Sequence, residues 1–411
     1  MGARAPSAAR SREEFSVSPL QPPAFDGMQY QTQIYLRGLT GQRSSVPISV
    51  LHLEERARRA LAPSAWDYVA GGAGSEDTMR ANRDAFRFWR IVPRMLRDVS
   101  RRDLSIELLG ARLPAPLLLG PVGVQSIVHA DAELASARAA ASLNVPFVYS
   151  TAASRTIEQV AEVMGSAPRW YQLYWSRDPE IAASMVGRAE RAGYSAVVVT
   201  LDTNILGWRP RDLDRAYLPF FQAEGVACFF SDPVFRRRLS APPEHDPPAA
   251  IRLWGTLFGN SALQWDDLPF LRKHTRLPIL LKGILHPEDA GRALSAGVDG
   301  IIVSNHGGRQ VDGAIGALDA LPRVVDAVKG RIPVLFDSGI RQGADVFKSL
   351  ALGARAVLLG RLYIYGLAIA GEDGVREVVQ NLLSDFDLTL ALSGYRSCAE
   401  LSPAALIREG G

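Results

Sequence analysis

A parallel (β/α)₈ barrel, the TIM barrel of the α/β class, is the fold this chain predicts, with a helical extension before it and a long insertion after its fourth strand. Two observations lead there. Eight short apolar runs recur beyond residue 115, and amphipathic helical patterns separate most of them. A third observation agrees with the first two: polar residues with chemical uses follow six successive runs, as they do where barrel strands open onto a common mouth.

The runs are residues 117–119, 146–149, 170–174, 196–201, 278–281, 300–303, 332–336 and 356–359. Their continuous apolar character and brevity read as buried strands. Residues 131–143, 179–192, 287–296, 318–329 and 343–352 carry apolar side chains three and four apart, the period of a helix with one buried face. The fourth and fifth runs start 82 residues apart, at 196 and 278, so a segment of about 204–275 is inserted between them. It holds Trp208-Arg209-Pro210-Arg211-Asp212, several aromatic residues and a proline-rich stretch at 242–248, which suits a mobile lid over the mouth more than a second core. Before the barrel, residues 51–62 and 75–88 read as helices and residues 104–113 as a short hairpin. Residues 1–29 read as a disordered arm, residues 30–405 as the folded domain and residues 406–411 as a tail.

Composition limits the function. With 47% hydrophobic and 22% charged residues, the 411-residue chain has material for a large core. Lys and Arg number 46 against 43 Asp and Glu, and no basic stripe with interleaved aromatics occurs, which disfavours nucleic acid as a partner. Cys228 and Cys398 lack metal-ligand spacing and stand far apart, so neither a zinc site nor a disulfide framework is expected, and a reducing cytoplasm fits best. No run of 18 apolar residues suggests a membrane span.

The strand ends carry the chemistry. Gln172 and Tyr174 follow the third run, Asp202 the fourth and Lys282 the fifth; Ser304, His306 and Arg309 follow the sixth. Asp337, Gly339 and Arg341 follow the seventh, and Gly360 and Arg361 the eighth. In the segment Ser304-Asn305-His306-Gly307-Gly308-Arg309-Gln310, the glycines allow close approach of backbone and ligand. His306 can take a proton near neutral pH, and Arg309 can hold a carboxylate through two parallel hydrogen bonds. The bland alternative is an ordinary Gly-Gly turn with a satisfied histidine and a surface arginine. Asp202 could orient His306, as a carboxylate does in a Ser-His-Asp triad. Gly339, Arg341, Gly360 and Arg361 match a phosphate site, and Lys282 could place charge beside a cofactor ring that becomes anionic on reduction.

These segments, with Tyr68-Val69-Ala70-Gly71-Gly72, Pro121-Val122-Gly123-Val124 and Gly207-Trp208-Arg209-Pro210-Arg211-Asp212, resemble the FMN-dependent α-hydroxy acid oxidase and dehydrogenase family over residues 30–405. The insertion and its Gly-Trp-Arg-Pro-Arg-Asp stretch are most similar to the lactate 2-monooxygenase branch. The resemblance implies FMN as cofactor, a small L-2-hydroxy acid and O2 as substrates, and a homotetramer. It implies His306 as the base for the α-hydroxyl proton and Asp202 as its partner. Arg309 and Tyr68 would hold the carboxylate, Arg209 would support it from the lid, and Tyr174 would bond the α-oxygen. For FMN, Lys282 would meet the N1/O2 edge and the backbone of Val122 and Gly123 would face N5. Ser150, Gln172 and Thr200 would bond ring atoms, with Ser304 in the same cofactor set. Asp337, Gly339, Arg341, Gly360 and Arg361 would take ribityl and phosphate. Taken alone, Tyr68, Ser150 and Thr200 read as structural. The implied reaction is oxidation to the 2-keto acid with oxidative decarboxylation; a peroxide-releasing oxidase and a quinone- or protein-linked dehydrogenase stay open. Asn204-Ile205 stands where that branch has bulkier aromatic residues, which leaves the substrate side chain open.

Overall fold

The computed structural model describes residues 25–409. Helix α1 (Gly27–Leu39) starts at Asp26, whose carboxylate accepts the Met28 and Gln29 amides at 3.0 Å. The helix expected over 51–62 is α2 (Val50–Ala60), which ends where Leu61 and Ala62 turn extended, and an unanticipated α3 (Pro63–Ala70) begins on a proline. Proline disfavours helical backbone in the residue before it and suits the first helical position, so Pro63 both separates and starts a helix. After α4 (Asp77–Phe88) come β1 (Trp89–Ile91) and the expected hairpin, β2 (Ile106–Leu108) with β3 (Ala111–Leu113).

The barrel alternates as expected. In order come β4 (Leu117–Leu119), α5 (Glu133–Ser142), β5 (Phe147–Ser150), α6 (Ile157–Met164), β6 (Arg169–Leu173), α7 (Pro179–Arg191) and β7 (Val197–Thr200). The insertion contains α8 (Pro210–Asp214), α9 (Ala227–Phe230), α10 (Pro233–Arg237) and α11 (Pro247–Leu257); α12 (Leu268–His274) leads back to the barrel. Then follow β8 (Ile279–Ile284), α13 (Pro287–Ser295), β9 (Gly300–Val303), α14 (Ala317–Val328), β10 (Val334–Phe336), α15 (Gly343–Ala351) and β11 (Ala356–Leu359). Strands β4 to β11 pair in parallel with their neighbours in the chain, and β11 closes on β4. The long α16 (Arg361–Leu392), broken at Ala370 and Gly371, and β12 (Leu406–Arg408) complete the fold. Among the described residues no helix is long and apolar enough to cross a membrane.

Three expectations change. Residues 406–408 are no tail: β12 pairs antiparallel with β1, Trp89 opposite Arg408 and Ile91 opposite Leu406. The arm expected over 1–29 falls outside the described residues up to 24, and α1 already begins at Gly27. The insertion is more than surface loop, because Phe220, Phe229, Phe235 and Trp254 are buried in the main core and Trp254 stacks on Phe220 at 4.7 Å and Phe258 at 4.9 Å. Its aromatic residues are the reason: each removes a large apolar area from water when packed.

Two apolar layers hold the barrel. Leu118, Val148, Trp170, Val198, Leu280, Ile302, Leu335 and Leu358, one from each strand, fill its interior, and Ile106, Leu108 and Leu113 of the hairpin pack onto them. Their chain neighbours face the surrounding helices. A polar clamp ties the extension to α16: the fully buried Asp387 accepts Arg102 at 2.7 and 2.8 Å and the Gly27 amide at 2.9 Å. Asp387→Ala strands the Arg102 charge and is expected to lower the unfolding free energy by about 3 kcal/mol, read from urea denaturation.

Candidate active site

Strand side chains alternate, so the residue two places beyond each interior core residue faces the barrel mouth. Applied to the eight interior residues, this yields Gly120, Ser150, Gln172, Thr200, Lys282, Ser304, Asp337 and Gly360. The polar members form two chains. Ser150 Oγ donates to Gln172 Oε1 at 2.9 Å, and Gln172 Nε2 donates to Thr200 Oγ1 at 2.9 Å. Lys282 Nζ donates to Ser304 Oγ at 2.8 Å and pairs with Asp337 Oδ2 at 3.0 Å. Burial pulls the Lys282 pKa down, but Asp337 and Asp202 outweigh it and leave the amine above its usual value, hence charged.

Above this floor the loop after β9 turns through three consecutive positive φ angles: 57° at His306, 64° at Gly307 and 75° at Gly308. A histidine in that region is strained, and its surroundings hold it there. The His306 amide donates to Ser304 Oγ and the Gly307 amide to Ser338 Oγ, each at 3.0 Å. A Cβ at Gly308 would lie 2.7 Å from the Met79 amide nitrogen, so the close approach expected of a ligand here is made by α4.

His306 Nδ1 lies 2.8 Å from Asp202 Oδ1 and 3.2 Å from Thr203 Oγ1, while Nε2 faces Tyr174 Oη at 3.5 Å. Burial holds the His306 pKa below its usual value against the upward pull of Asp202. Burial pushes Asp202 up, but His306 and Lys282 win and keep it below the usual carboxylate range. The pair at neutral pH is therefore a neutral imidazole on an ionised carboxylate, with Nδ1–H fixed toward Asp202 and Nε2 free to accept a proton. The Tyr174 hydroxyl, pushed up to about 12 chiefly by burial and also by Asp202, stays protonated.

On the other side stand cations. Arg309 Nη1 donates to the Tyr68 and Gly71 carbonyls, both at 2.7 Å, with its guanidinium carbon 5.2 Å from the Tyr68 ring centre. Arg361 donates to Val69 O at 3.1 Å, Gly71 O at 2.8 Å and Gly307 O at 3.0 Å. Burial, reinforced by Arg209 and by Arg361, presses Arg309 down to about 9, and burial presses Arg361 down to about 10. A guanidinium seldom loses its proton, and a bound anion relieves the same pressure.

One cavity runs along this surface. Tyr68, Val122, Gly123, Tyr174, Arg209, Lys282, His306, Arg309, Asp337, Gly339, Arg341, Gly360 and Arg361 all line it. Asp202 stands behind His306, and Ser150, Gln172, Thr200 and Ser304 lie in the buried floor. Thr203, Leu206, Phe220 and Phe258 also line the cavity and escaped the sequence reading. Adjacency to Asp202 could have found Thr203; no local pattern marks the two phenylalanines, which the insertion brings in from afar. The residues fit FMN. The N-terminus of α16 has no side-chain cap at Gly360, and Arg341 stands beside it to receive a phosphate, while Lys282 offers positive charge to a ring edge.

Residues 57–408 match the model of the FMN-dependent dehydrogenase family. The chain is 48% identical over 375 residues to an FMN-dependent alpha-hydroxy acid dehydrogenase of Penicillium citrinum, covering 90% of this chain and 93% of that one. It is 45% identical over 378 residues to an L-lactate oxidase of Lysinibacillus sphaericus, covering 92% and 97%. Among solved structures it resembles crystalline mandelate oxidase at a TM-score of 0.78 and 38% identity, over 89% of this chain and 99% of the other. A closed barrel, a cavity suited to a flavin phosphate and matches over nine-tenths of the chain lead to one statement: the chain belongs to the FMN-dependent α-hydroxy acid oxidase and dehydrogenase family.

Proposed function

We propose that the protein oxidises an L-2-hydroxy acid to the 2-keto acid with O2 as electron acceptor, and that the keto acid is held long enough under the insertion for oxidative decarboxylation. The observation that carries the oxidation is the neutral His306 on Asp202 at 2.8 Å, opposite an Arg309 whose hydrogen bonds among the described residues go to carbonyls. FMN, when bound, accepts the two electrons and in reduced form passes them to oxygen.

The residues do the rest. Arg309 and Tyr68 take the substrate carboxylate, and Arg209 adds positive charge from the lid side. His306 Nε2 receives the α-hydroxyl proton, and Asp202 stabilises the resulting imidazolium through the bond it already makes. Tyr174, protonated and beside Nε2, donates to the α-oxygen. Ser150, Gln172, Thr200, Ser304 and Lys282 hold the ring of FMN; Asp337, Gly339, Arg341, Gly360 and Arg361 hold ribityl and phosphate. Val122, Leu206, Phe220 and Phe258 leave an apolar wall for the substrate side chain. The wall favours a second reading, a peroxide-releasing oxidase of a bulkier or aromatic hydroxy acid, and the likeness to mandelate oxidase supports it.

Incubation with L-lactate and with mandelate under air separates the readings: acetate matching the lactate consumed supports decarboxylation, and keto acid with equal peroxide removes it. His306→Ala is expected to lower kcat/KM about a thousandfold. Because the base must be neutral and its pKa lies below the usual 6.5, kcat/KM should fall with falling pH only below that value. Asp202→Asn removes the charge that draws His306 upward. The acid limb should therefore move to still lower pH while the plateau drops, read from pH–rate profiles and imidazole NMR.

A further inference from the structure

Gln310, the last residue of the segment after β9, makes no contact with the cavity, yet its side-chain amide uses all its hydrogen-bonding capacity on one stretch of chain. Nε2 donates to Asp202 O at 2.6 Å and Ile205 O at 2.9 Å; Oε1 accepts Arg209 Nη2 at 2.9 Å and the Gly207 amide at 3.3 Å. Two carbonyls and two donors can be matched by the amide in one orientation only, so the amide reads the shape of residues 202–209. This stretch is the stem of the insertion. Its outer face is open to solvent, with Ile205 65% and Trp208 74% exposed, and outside the loop after β9 the Trp208 carbonyl accepts the Gly74 amide at 2.9 Å.

Two further contacts fix the stem to the same loop. Arg209 Nε donates to Arg309 O at 3.0 Å. A Cβ on Gly207 would lie 2.6 Å from Arg309 O and 2.8 Å from Gln310 O, so the stem rests directly on the backbone of the carboxylate clamp. Lifting the stem therefore breaks four bonds to one side chain together, and they belong to the loop that carries His306 and Arg309.

We propose that Gln310 is the positioning residue that latches the insertion closed, and that its latch sets how long the 2-keto acid stays beside the peroxide formed with it. This rests on the oxidation proposed above. In the trapped pair, peroxide oxygen bonds to the keto carbon, the bond from that carbon to the carboxylate breaks, and the O–O bond is cleaved. The keto acid is oxidised to a carboxylic acid one carbon shorter plus CO2, and the peroxide is reduced to water. An early release gives keto acid and peroxide instead.

The test uses the FMN-loaded protein and two variants. Gln310→Glu keeps the shape but cannot donate to Asp202 O and Ile205 O; Gly207→Ala pushes the stem off the loop from the other side. Both should raise amide hydrogen exchange in residues 203–213 without substrate on the order of tenfold, from the loss of two hydrogen bonds. With substrate, both should speed keto acid dissociation by a similar factor and move products from shortened acid toward keto acid and peroxide. Flavin reduction should slow far less than product release accelerates. Unchanged exchange and release in folded variants, or slowed reduction with unchanged exchange, would overturn the latch. Should the unaltered protein form no shortened acid, the decarboxylation reading fails while exchange and release rates still decide the latch.

Discussion

Uncompensated positive charge at the barrel mouth is the constraint around which the site is arranged. Arg309 and Arg361 project into the same region with Arg209 nearby, and the hydrogen bonds of Arg309 and Arg361 go to carbonyl oxygens and a methionine sulfur, not to acids. Paired with carboxylates, these groups would be neutral and of little use to an anion. Held by carbonyl dipoles, with Asp212 and Glu76 acting on them without direct ion pairing, they keep their charge available. All but one of the carbonyls, that of Gly307, come from the C-terminal end of α3, where a helix presents its negative pole. The extension before the barrel is thus part of the chemistry, since it steadies the cations that the strands supply.

The opposite half of the mouth is built on the reverse principle. Lys282 is matched by Asp337 and Ser304, and His306 by Asp202, so each proton there has a defined place. A region of settled protonation faces a region of unsettled charge, and a molecule with a carboxylate at one end and an ionisable hydroxyl beside it bridges the two. The strained backbone at His306 belongs to this arrangement. Ser304 and Ser338 hold the turn that lifts the imidazole off the floor, and the energy stored there is repaid by packing against α4.

Much of this was legible in the chain. The eight runs became the eight strands, with β4, β9 and β11 at their expected limits, because buried parallel strands need apolar residues on both faces. The floor was legible as well, since a shift of two along each strand leads from core to mouth. Less visible were features that depend on partners distant in sequence. α3 hid in the shadow of Pro63, the aromatic wall of Phe220 and Phe258 comes from the insertion, and β12 has no pattern beyond three residues that pair with β1. Gln310 closes the segment that carries His306 and Arg309, but a glutamine is specific only through what it touches, and all four of its partners lie over a hundred residues earlier.

The pairing of β12 with β1 bears on how the molecule comes into being. The strand that α4 runs into is matched by residues 406–408, and α3, which steadies Arg309 and Arg361, touches groups more than two hundred residues downstream. Such distant contacts close late, because the entropy of closing a long loop is lost before the contact can offset it. A barrel in which α3 has not yet met the loops after β9 and β11 therefore has its cations but not the carbonyls that aim them.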